Sequence, residues 1–257
     1  MSGPILQDDR SGVRVLTLHR PEARNAIDTD TQDALRDALV AAARDQQVRA
    51  IVLTGTDPAF SAGGDLSRFG SGVDPTAFRF ESHELTATVE LVERIEKPVV
   101  AALNGVATGA GAQLALACDL RIASERARFL HRESFLGLLP AHGGIVRLVH
   151  LVGLARARDL VLGGQDLDAA AAHRAGLVTE VVPHEQLLAH TLERVAGILR
   201  RSPDAYAAAK RVLNLAPSLH LAAGTAVETL GQSLLVTTDE HLRRLEAART
   251  SASKERT

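Results

Sequence analysis

Two glycine-rich segments carry the main chemical possibility in this sequence. They are SAGGD at residues 61–65 and TGAGA at residues 108–112, and each lies between a short apolar run and a predicted helix. Turns of this kind expose backbone N–H groups, and a helix start adds positive potential. Two such donors on one oxygen would stabilise an enolate or a tetrahedral oxyanion. From spacing alone, tight strand-to-helix turns explain the glycines better, and neither segment matches a phosphate-binding motif.

Side chains near and beyond the second segment are candidates for proton transfer. Gln113 can hold a water molecule through its amide, but it cannot exchange a proton. Glu133 would serve as a general base if apolar surroundings raised its pKa. It could equally be a surface carboxylate paired with Arg132. Chain position leaves both interpretations of Glu133 open.

Composition excludes several classes of protein. The chain has 257 residues, and its 29 Lys and Arg against 31 Asp and Glu give a net charge of −2, so nothing favours binding to nucleic acid or an anionic membrane. No segment resembles a signal peptide or a membrane span. The single cysteine, Cys118, rules out an internal disulfide and is expected to pack in a helix rather than react. We therefore expect a cytoplasmic location.

The elements that must position these residues alternate between strand and helix in the first half of the chain. This order predicts a parallel α/β arrangement with right-handed crossovers. Thr29 and Gln32 resemble a capping box for the first helix. The predicted strands are 13–19, 50–54, 99–103 and 120–123. One helix is predicted after Thr29, a second after a mobile loop predicted at 70–80, and a third after Gly109.

Beyond Pro140 the sequence predicts mostly helices. Ser202 and Pro203 form an N-cap and first-turn pair for one of them. The last seven residues, SASKERT, predict a disordered tail. The predicted helices are 143–152, 155–162, 167–175, 187–198, one from 203, 219–236 and one from 239, with a strand at 177–182.

Several motifs in order along the chain resemble the crotonase (enoyl-CoA hydratase/isomerase) superfamily. The resemblance implies an α/β fold, with a crotonase-like spiral core of stacked ββα units over residues 1–195 and a helical C-terminal trimerisation part over 196–257. It also implies an acyl-CoA thioester substrate, no metal or redox cofactor, and self-association as a trimer or dimer of trimers. The motifs are RPEARNAI at 20–27, AFSAGGDL at 59–66, KPVVAALNGVATGAGAQLALACDLRIASERARF at 97–129 and P-x-x-G-G at 140–144.

The resemblance assigns a role to each glycine-rich segment. It implies that the backbone N–H groups of Gly64 and Ala110 hold the thioester oxygen. Arg24 would meet a phosphate or remain a solvated loop residue, and Asp65 would rather cap the following helix than touch substrate. The residues implied to lie along the coenzyme A moiety are Arg24, Ala26, Ala62, Gly64, Asp65 and Leu66.

Gln113 and Glu133 stand where hydratases of this family carry two glutamates. One acid suffices to move a double bond, because a single base can remove a C2 proton and return it at C4. We therefore expect isomerisation rather than hydration, with Glu133 as the acid/base. Two alternatives remain: acyl-CoA hydrolysis or aryl-CoA displacement using His83 or His142, and a catalytically silent protein that binds CoA esters. Each histidine is otherwise expected to be exposed or structural, and His131 and Arg132 would lower the pKa of Glu133 if they faced it.

Overall fold

The computed structural model describes residues 3–68, 70 and 72–254. The chain divides after Ala196 into two compact units. The strands are β1 (Ile5–Arg10), β2 (Val13–Leu18), β3 (Ala50–Gly55), β4 (Ala59–Ser61), β5 (Val99–Leu103), β6 (Val106–Thr108), β7 (Leu120–Ser124), β8 (Arg128–Leu130), β9 (Leu167–Asp168) and β10 (Glu180–Val182). The helices are α1 (Thr29–Arg44), α2 (Pro75–Arg94), α3 (Gly109–Ala117), α4 (Gly144–Val161), α5 (Ala169–Arg174), α6 (Leu187–Ile198), α7 (Pro203–Leu215), α8 (Leu221–Leu235) and α9 (Asp239–Lys254).

A mixed sheet forms the centre of the first unit. Its strand order is β1-β2-β3-β5-β7-β10. β1 pairs antiparallel with β2, and every other pair is parallel, which confirms the predicted parallel arrangement for the strands after β2. β3 and β5 are the apolar runs of the sequence, and they are buried because neighbouring strands and packed helices cover them.

A second, smaller sheet lies beyond the carboxyl ends of these strands. Its order is β4-β6-β8-β9, with β8 and β9 antiparallel. β3, β5 and β7 are each followed by one of its short strands, and β4 and β6 then lead on to α2 and α3. This succession is the ββα unit that the family resemblance implies. Periodicity alone could not predict strands of two or three residues.

Several predicted element boundaries were wrong. Asp28, not Thr29, is the N-cap of α1, because its Oδ1 accepts from Thr31 N at 2.8 Å. α2 begins at Pro75, within the predicted loop, where Asp74 caps it. The strand predicted at 177–182 covers only Glu180–Val182. α9 continues to Lys254 and so includes the first four residues of the predicted tail, while residues 255–257 lie outside the described part.

Other predictions for the helical part were confirmed. Ser202 caps α7, accepting from Ala205 N at 3.3 Å, with Pro203 in the first turn. α4 covers the two helices predicted on either side of Gly153, whose non-helical φ of 76° breaks it. No helix among the described residues is both long and apolar enough to cross a bilayer.

Candidate active site

The two glycine-rich segments come together at one end of the core. Gly63 is held by the chain that precedes α1, because Ile27 N donates to its carbonyl at 2.7 Å and Asp65 N donates to Ile27 O at 3.0 Å. Gly64 lies between these bonds, so its own N–H is directed away from Ile27. Ala110 is in the first turn of α3, where backbone N–H groups have no acceptor within the helix.

The small residues allow the close approach. Gly63 has φ +92°, and a Cβ there would lie 2.8 Å from Thr108 O and 3.4 Å from Ala110 N. A Cβ on Gly111 would lie 2.5 Å from Ser61 Cβ, so only glycine lets α3 pack this tightly on β4. The sequence is therefore rich in small residues here because two backbone segments meet in direct contact.

A cavity of about 420 Å³ opens beside both N–H groups. This volume lies within the ~300–1,000 Å³ usual for small-molecule sites. Most of its wall is apolar, with a few polar side chains. The lining residues are Ala62, Gly64, Leu66, Phe78, Glu81, Ser82, Leu85, Thr108, Gly109, Ala110, Gln113, Arg132, Glu133, Leu136, Leu138, Leu139, Ala141 and His142.

Gln113 and Glu133 meet on the wall of this cavity. Gln113 is buried in α3, and its Nε2 donates to Glu133 Oε1 at 3.3 Å. Burial raises the pKa of Glu133 above its ordinary value. Among the described residues, neither Gln113 Oε1 nor Glu133 Oε2 has a hydrogen-bond partner, although both atoms are buried. The carboxyl group of Glu133 is therefore suited to exchange a proton, and the amide oxygen Gln113 Oε1 is a hydrogen-bond acceptor beside it.

The two residues before Glu133 do not lower its pKa. Arg132 forms an ion pair with Asp166 and stacks on Phe135, 5.4 Å from the ring centre. His131 is buried, and burial lowers its pKa, with Asp166 opposing. Neither His131 ring nitrogen has a hydrogen-bond partner within the described residues. The sequence analysis expected Arg132 and His131 to lower the pKa of Glu133 if they faced it, and they do not weaken it as a base in this way.

The other two candidate histidines differ in position. His142 lines the cavity, and its Nδ1 is 2.9 Å from Thr86 Oγ1. His83 is exposed on α2 and is not part of the cavity lining. Of these two histidines, only His142 therefore lies where it could contact a substrate in the cavity.

The structure places only some of the residues implied to lie along coenzyme A at the cavity. Ala62, Gly64 and Leu66 line the cavity, whereas the remaining three do not. Arg24 is exposed, and its carbonyl accepts from Ala62 N at 2.9 Å. Asp65 accepts from Ser67 N at 3.0 Å, the capping role that the sequence favoured, and its other oxygen pairs with Arg20. Ala26 is buried.

The sequence analysis did not identify which residues of α2 line the cavity. Phe78, Ser82 and Leu85 line it at the spacing of one helical face. The signal was Asp74 followed by Pro75, an N-cap and first-turn pair inside the segment predicted as a loop. Residues 69 and 71 of that segment lie outside the described part.

Asn25 lies within the motif at 20–27, and its side chain has a structural role. It is buried, and its Nδ2 donates to Thr56 O and Ala59 O, both at 2.7 Å. Its Oδ1 accepts from Arg20 N at 3.0 Å. Asn25 thus fastens the 20–27 segment to β4, which leads directly into the first glycine-rich segment. In the described ranges 3–68, 70 and 72–254, no cluster of three or more His, Cys, Asp or Glu could hold a metal ion.

Comparison with known proteins gives one consistent result. Residues 8–248 match the sequence model of the family described as enoyl-CoA hydratase/isomerase. The chain is 38% identical over 228 residues to the 2,3-dehydroadipyl-CoA hydratase of Escherichia coli, covering 89% of this chain and 88% of the relative. It is 35% identical over 213 residues to the short-chain-enoyl-CoA hydratase of Clostridium acetobutylicum, covering 82% and 80%.

The fold agrees with solved structures as well. The crystal structure of an enoyl-CoA hydratase from Bacillus anthracis superposes with a TM-score of 0.91 at 31% identity, covering 96% of each chain. This likeness confirms the predicted α/β fold with its helical C-terminal part. These relatives are named as hydratases, and nothing in the comparisons supports the expected preference for isomerisation.

Proposed function

Because the chain belongs to the enoyl-CoA hydratase/isomerase (crotonase) family, we propose that it hydrates 2-enoyl-CoA thioesters, with Glu133 as the single proton-transfer residue. The observation that carries the proposal is the pairing of Glu133 with Gln113 in the cavity that Gly64 and Ala110 also line. In this scheme, the two backbone N–H groups bind the thioester oxygen. They make C3 more electrophilic and stabilise the enolate that forms when C3 is attacked.

A bound water could use both unpartnered acceptors. Its two O–H groups would donate to Gln113 Oε1 and Glu133 Oε2, leaving an oxygen lone pair for C3. Glu133 then takes a proton from this water as the C–O bond forms, and returns a proton to C2 of the enolate. Because one carboxyl performs both transfers, Gln113 needs only to hold the water and donate to Glu133. The raised pKa of Glu133 suits a group that must both accept and release a proton.

Double-bond isomerisation is the second candidate, and the amide at position 113 favours it. Glu133 could remove a C2 proton from a 3-enoyl-CoA and return it at C4, with the enolate on the same two N–H groups. This reaction needs no bound water. Hydrolysis by a pocket histidine and silent binding of CoA esters remain outcomes of the test below.

One pair of assays separates these functions. The conjugated enoyl thioester absorbs in the ultraviolet, so hydration of 2-enoyl-CoA removes the absorbance and isomerisation of 3-enoyl-CoA creates it. We expect hydration to be the faster reaction, and Glu133→Gln to lower kcat by about 10²–10⁴-fold. Glu84→Gln removes a carboxyl of α2 that does not line the cavity, and it should leave the rate unchanged.

Each other outcome has a definite meaning. Faster isomerisation would support the second candidate, and full activity in Glu133→Gln would contradict both. Release of free CoA would indicate hydrolysis. Binding without any turnover would indicate a silent protein.

We also propose that the chain assembles as a trimer or a dimer of trimers. Support comes from one face of α8, where Val227, Leu230 and Leu234 are exposed. Their spacing places three apolar side chains on one stripe of the helix. Light scattering after size-exclusion chromatography would give the mass, and Leu234→Glu should shift it toward the monomer. A wild-type monomer would refute this proposal.

A further inference from the structure

The two glycines of the P-x-x-G-G motif differ in what they require of the backbone. Gly143 has φ +77°, a left-handed value that favours glycine. Gly144 is the first residue of α4, and its φ is not left-handed. Alanine at position 144 would therefore cause no backbone strain, and alanine is the better helix former. The glycine at position 144 needs another explanation.

The side chain of Gln113 occupies the space that a side chain at position 144 would need. Gly144 is buried where α4 contacts α3. A Cβ built on Gly144 would lie 2.7 Å from Gln113 Cγ and 3.2 Å from both Cδ and Nε2. Non-bonded carbon atoms are in favourable contact at about 3.5–4.0 Å. A methyl group at position 144 and the observed position of Gln113 therefore exclude each other.

Contacts with α2 hold the start of α4 in place. Arg147, about one turn after Gly144, donates from Nη1 to His142 O at 2.6 Å. The same guanidinium makes a two-bond ion pair with Glu93 of α2, at 2.7 and 2.6 Å. Two-bond pairs of this kind fix orientation as well as distance. A methyl group on Gly144 would therefore displace the side chain of Gln113 rather than the backbone of α4.

Displacement of this side chain would separate its amide from Glu133. In the observed rotamer, Gln113 Nε2 donates to Glu133 Oε1 at 3.3 Å. Gln113 Oε1 is buried and has no hydrogen-bond partner among the described residues. Rotation about χ1 is the motion that moves Cγ, and the staggered wells of χ1 lie about 120° apart. Relief of the contact at Cγ would thus carry the whole amide to a different place.

We infer that Gly144 is a positioning residue, whose missing side chain keeps Gln113 in the rotamer that donates to Glu133 and presents Oε1 to the attacking water. The kinetic part of this inference rests on the proposed function, in which Gln113 holds that water. The packing part does not, because it concerns only the contact between Gly144 and Gln113.

A double-mutant cycle in urea tests the packing part without any substrate. We expect Gly144→Ala to lower the urea midpoint of the wild type, because overpacking a buried site destabilises it. Gln113→Ala removes Cγ and the amide, so Gly144→Ala should no longer lower the midpoint in that background. Failure of Gly144→Ala to fold alone, with a double variant that folds, would support the inference in the same way.

Gly197→Ala provides a matched control. Gly197 is a glycine of α6 without a left-handed φ, and a Cβ there would lie 3.5 Å from Arg200 Nη2, an ordinary contact distance. This substitution should not lower the urea midpoint in either background, and it should leave the hydration rate unchanged.

Hydration of 2-enoyl-CoA tests the kinetic part. Gly144→Ala should lower kcat by about 10–100-fold, because a small misplacement of a group that orients a reactant has an effect of this size. KM should change little, since the amide acts on the water and not on the thioester. Gln113→Ala should show a loss of similar size, and the double variant should show no further loss.

The outcomes separate this inference from the proposed function. An equal fall of the urea midpoint in both backgrounds, or no fall in the wild type, would overturn the inference. Full hydration activity in Gly144→Ala, or kinetic losses that multiply in the double variant, would overturn it as well. If the wild type does not hydrate 2-enoyl-CoA while the urea cycle shows coupling, the proposed function fails and the placement of Gln113 by Gly144 stands.

Discussion

Substitution of Gly63 by alanine tests the contact between the two glycine-rich segments. The added Cβ would lie 2.8 Å from Thr108 O, and Gly63 has φ +92°. Carbon and oxygen atoms in ordinary contact lie at least ~3.2 Å apart, so the two segments must separate by about half an ångström. That displacement is the tolerance within which a catalytic constellation must be held. The expected consequence is a Gly64 N–H that no longer converges with Ala110 N–H on one oxygen.

The magnitude follows from the loss of one oxyanion donor. We expect kcat/KM for 2-enoyl-CoA to fall by about 10²–10³-fold in Gly63→Ala. The left-handed φ adds a loss of about 1–3 kcal/mol in the free energy of unfolding. Ultraviolet hydration kinetics and urea unfolding measure the two effects separately.

Gly72→Ala provides a matched control. Gly72 has φ +90°, nearly the same as Gly63, but a Cβ there would meet no atom of the described residues within 4 Å. This variant should therefore show the stability loss without the kinetic loss. If both variants lose activity equally, or if Gly63→Ala keeps kcat/KM within a factor of about ten of the wild type, the proposed convergence of donors is refuted.

Three further predictions concern Glu133, Asn25 and His131. Because burial raises the pKa of Glu133, kcat/KM should rise with pH through a midpoint above the ordinary value of 4.5, and a midpoint at or below 4.5 would contradict its role as base. Asn25→Ala removes three hydrogen bonds, of which only the acceptor Ala59 O keeps another donor, Asn104 Nδ2, so urea unfolding should show a loss of about 2 kcal/mol, and a loss below about 0.5 kcal/mol would show that Asn25 does not fasten this segment. Burial lowers the pKa of His131, so the native state binds fewer protons than the unfolded chain, and the free energy of unfolding should rise with pH up to about the ordinary value of 6.5. His131→Leu should remove this part of the pH dependence, and an unchanged slope would contradict the assignment.

Much of the fold could be predicted from local signals. β3 and β5 could be predicted from their own residues alone, because a strand buried on both faces must be apolar throughout. Ser202 with Pro203 marked the start of α7 for an equally local reason. One prediction that was wrong, the extent of β10, concerns a strand whose length depends on a distant partner, because β10 pairs with β7 over only three residues.

The strands of the second sheet could not be predicted from the local sequence. Its strands contain two or three residues each, and they are strands only because partners 22 to 47 positions away in sequence supply their hydrogen bonds. The structural role of Asn25 also could not be predicted from local sequence. It depends on the hydrogen bonds that its side chain donates to Thr56 O and Ala59 O.

The sequence by itself determined the family, the two glycine-rich segments and the replacement of an acid by Gln113, because these are properties of residue types in order. Only the tertiary structure decided that the two segments touch, that Glu133 meets Gln113 while Arg132 turns to Asp166, and that His142 rather than His83 reaches the cavity. The physical reason is that these facts depend on burial and on hydrogen bonds between distant parts of the chain. Burial in particular raises the pKa of Glu133, and no sequence pattern states how deeply a carboxyl is buried.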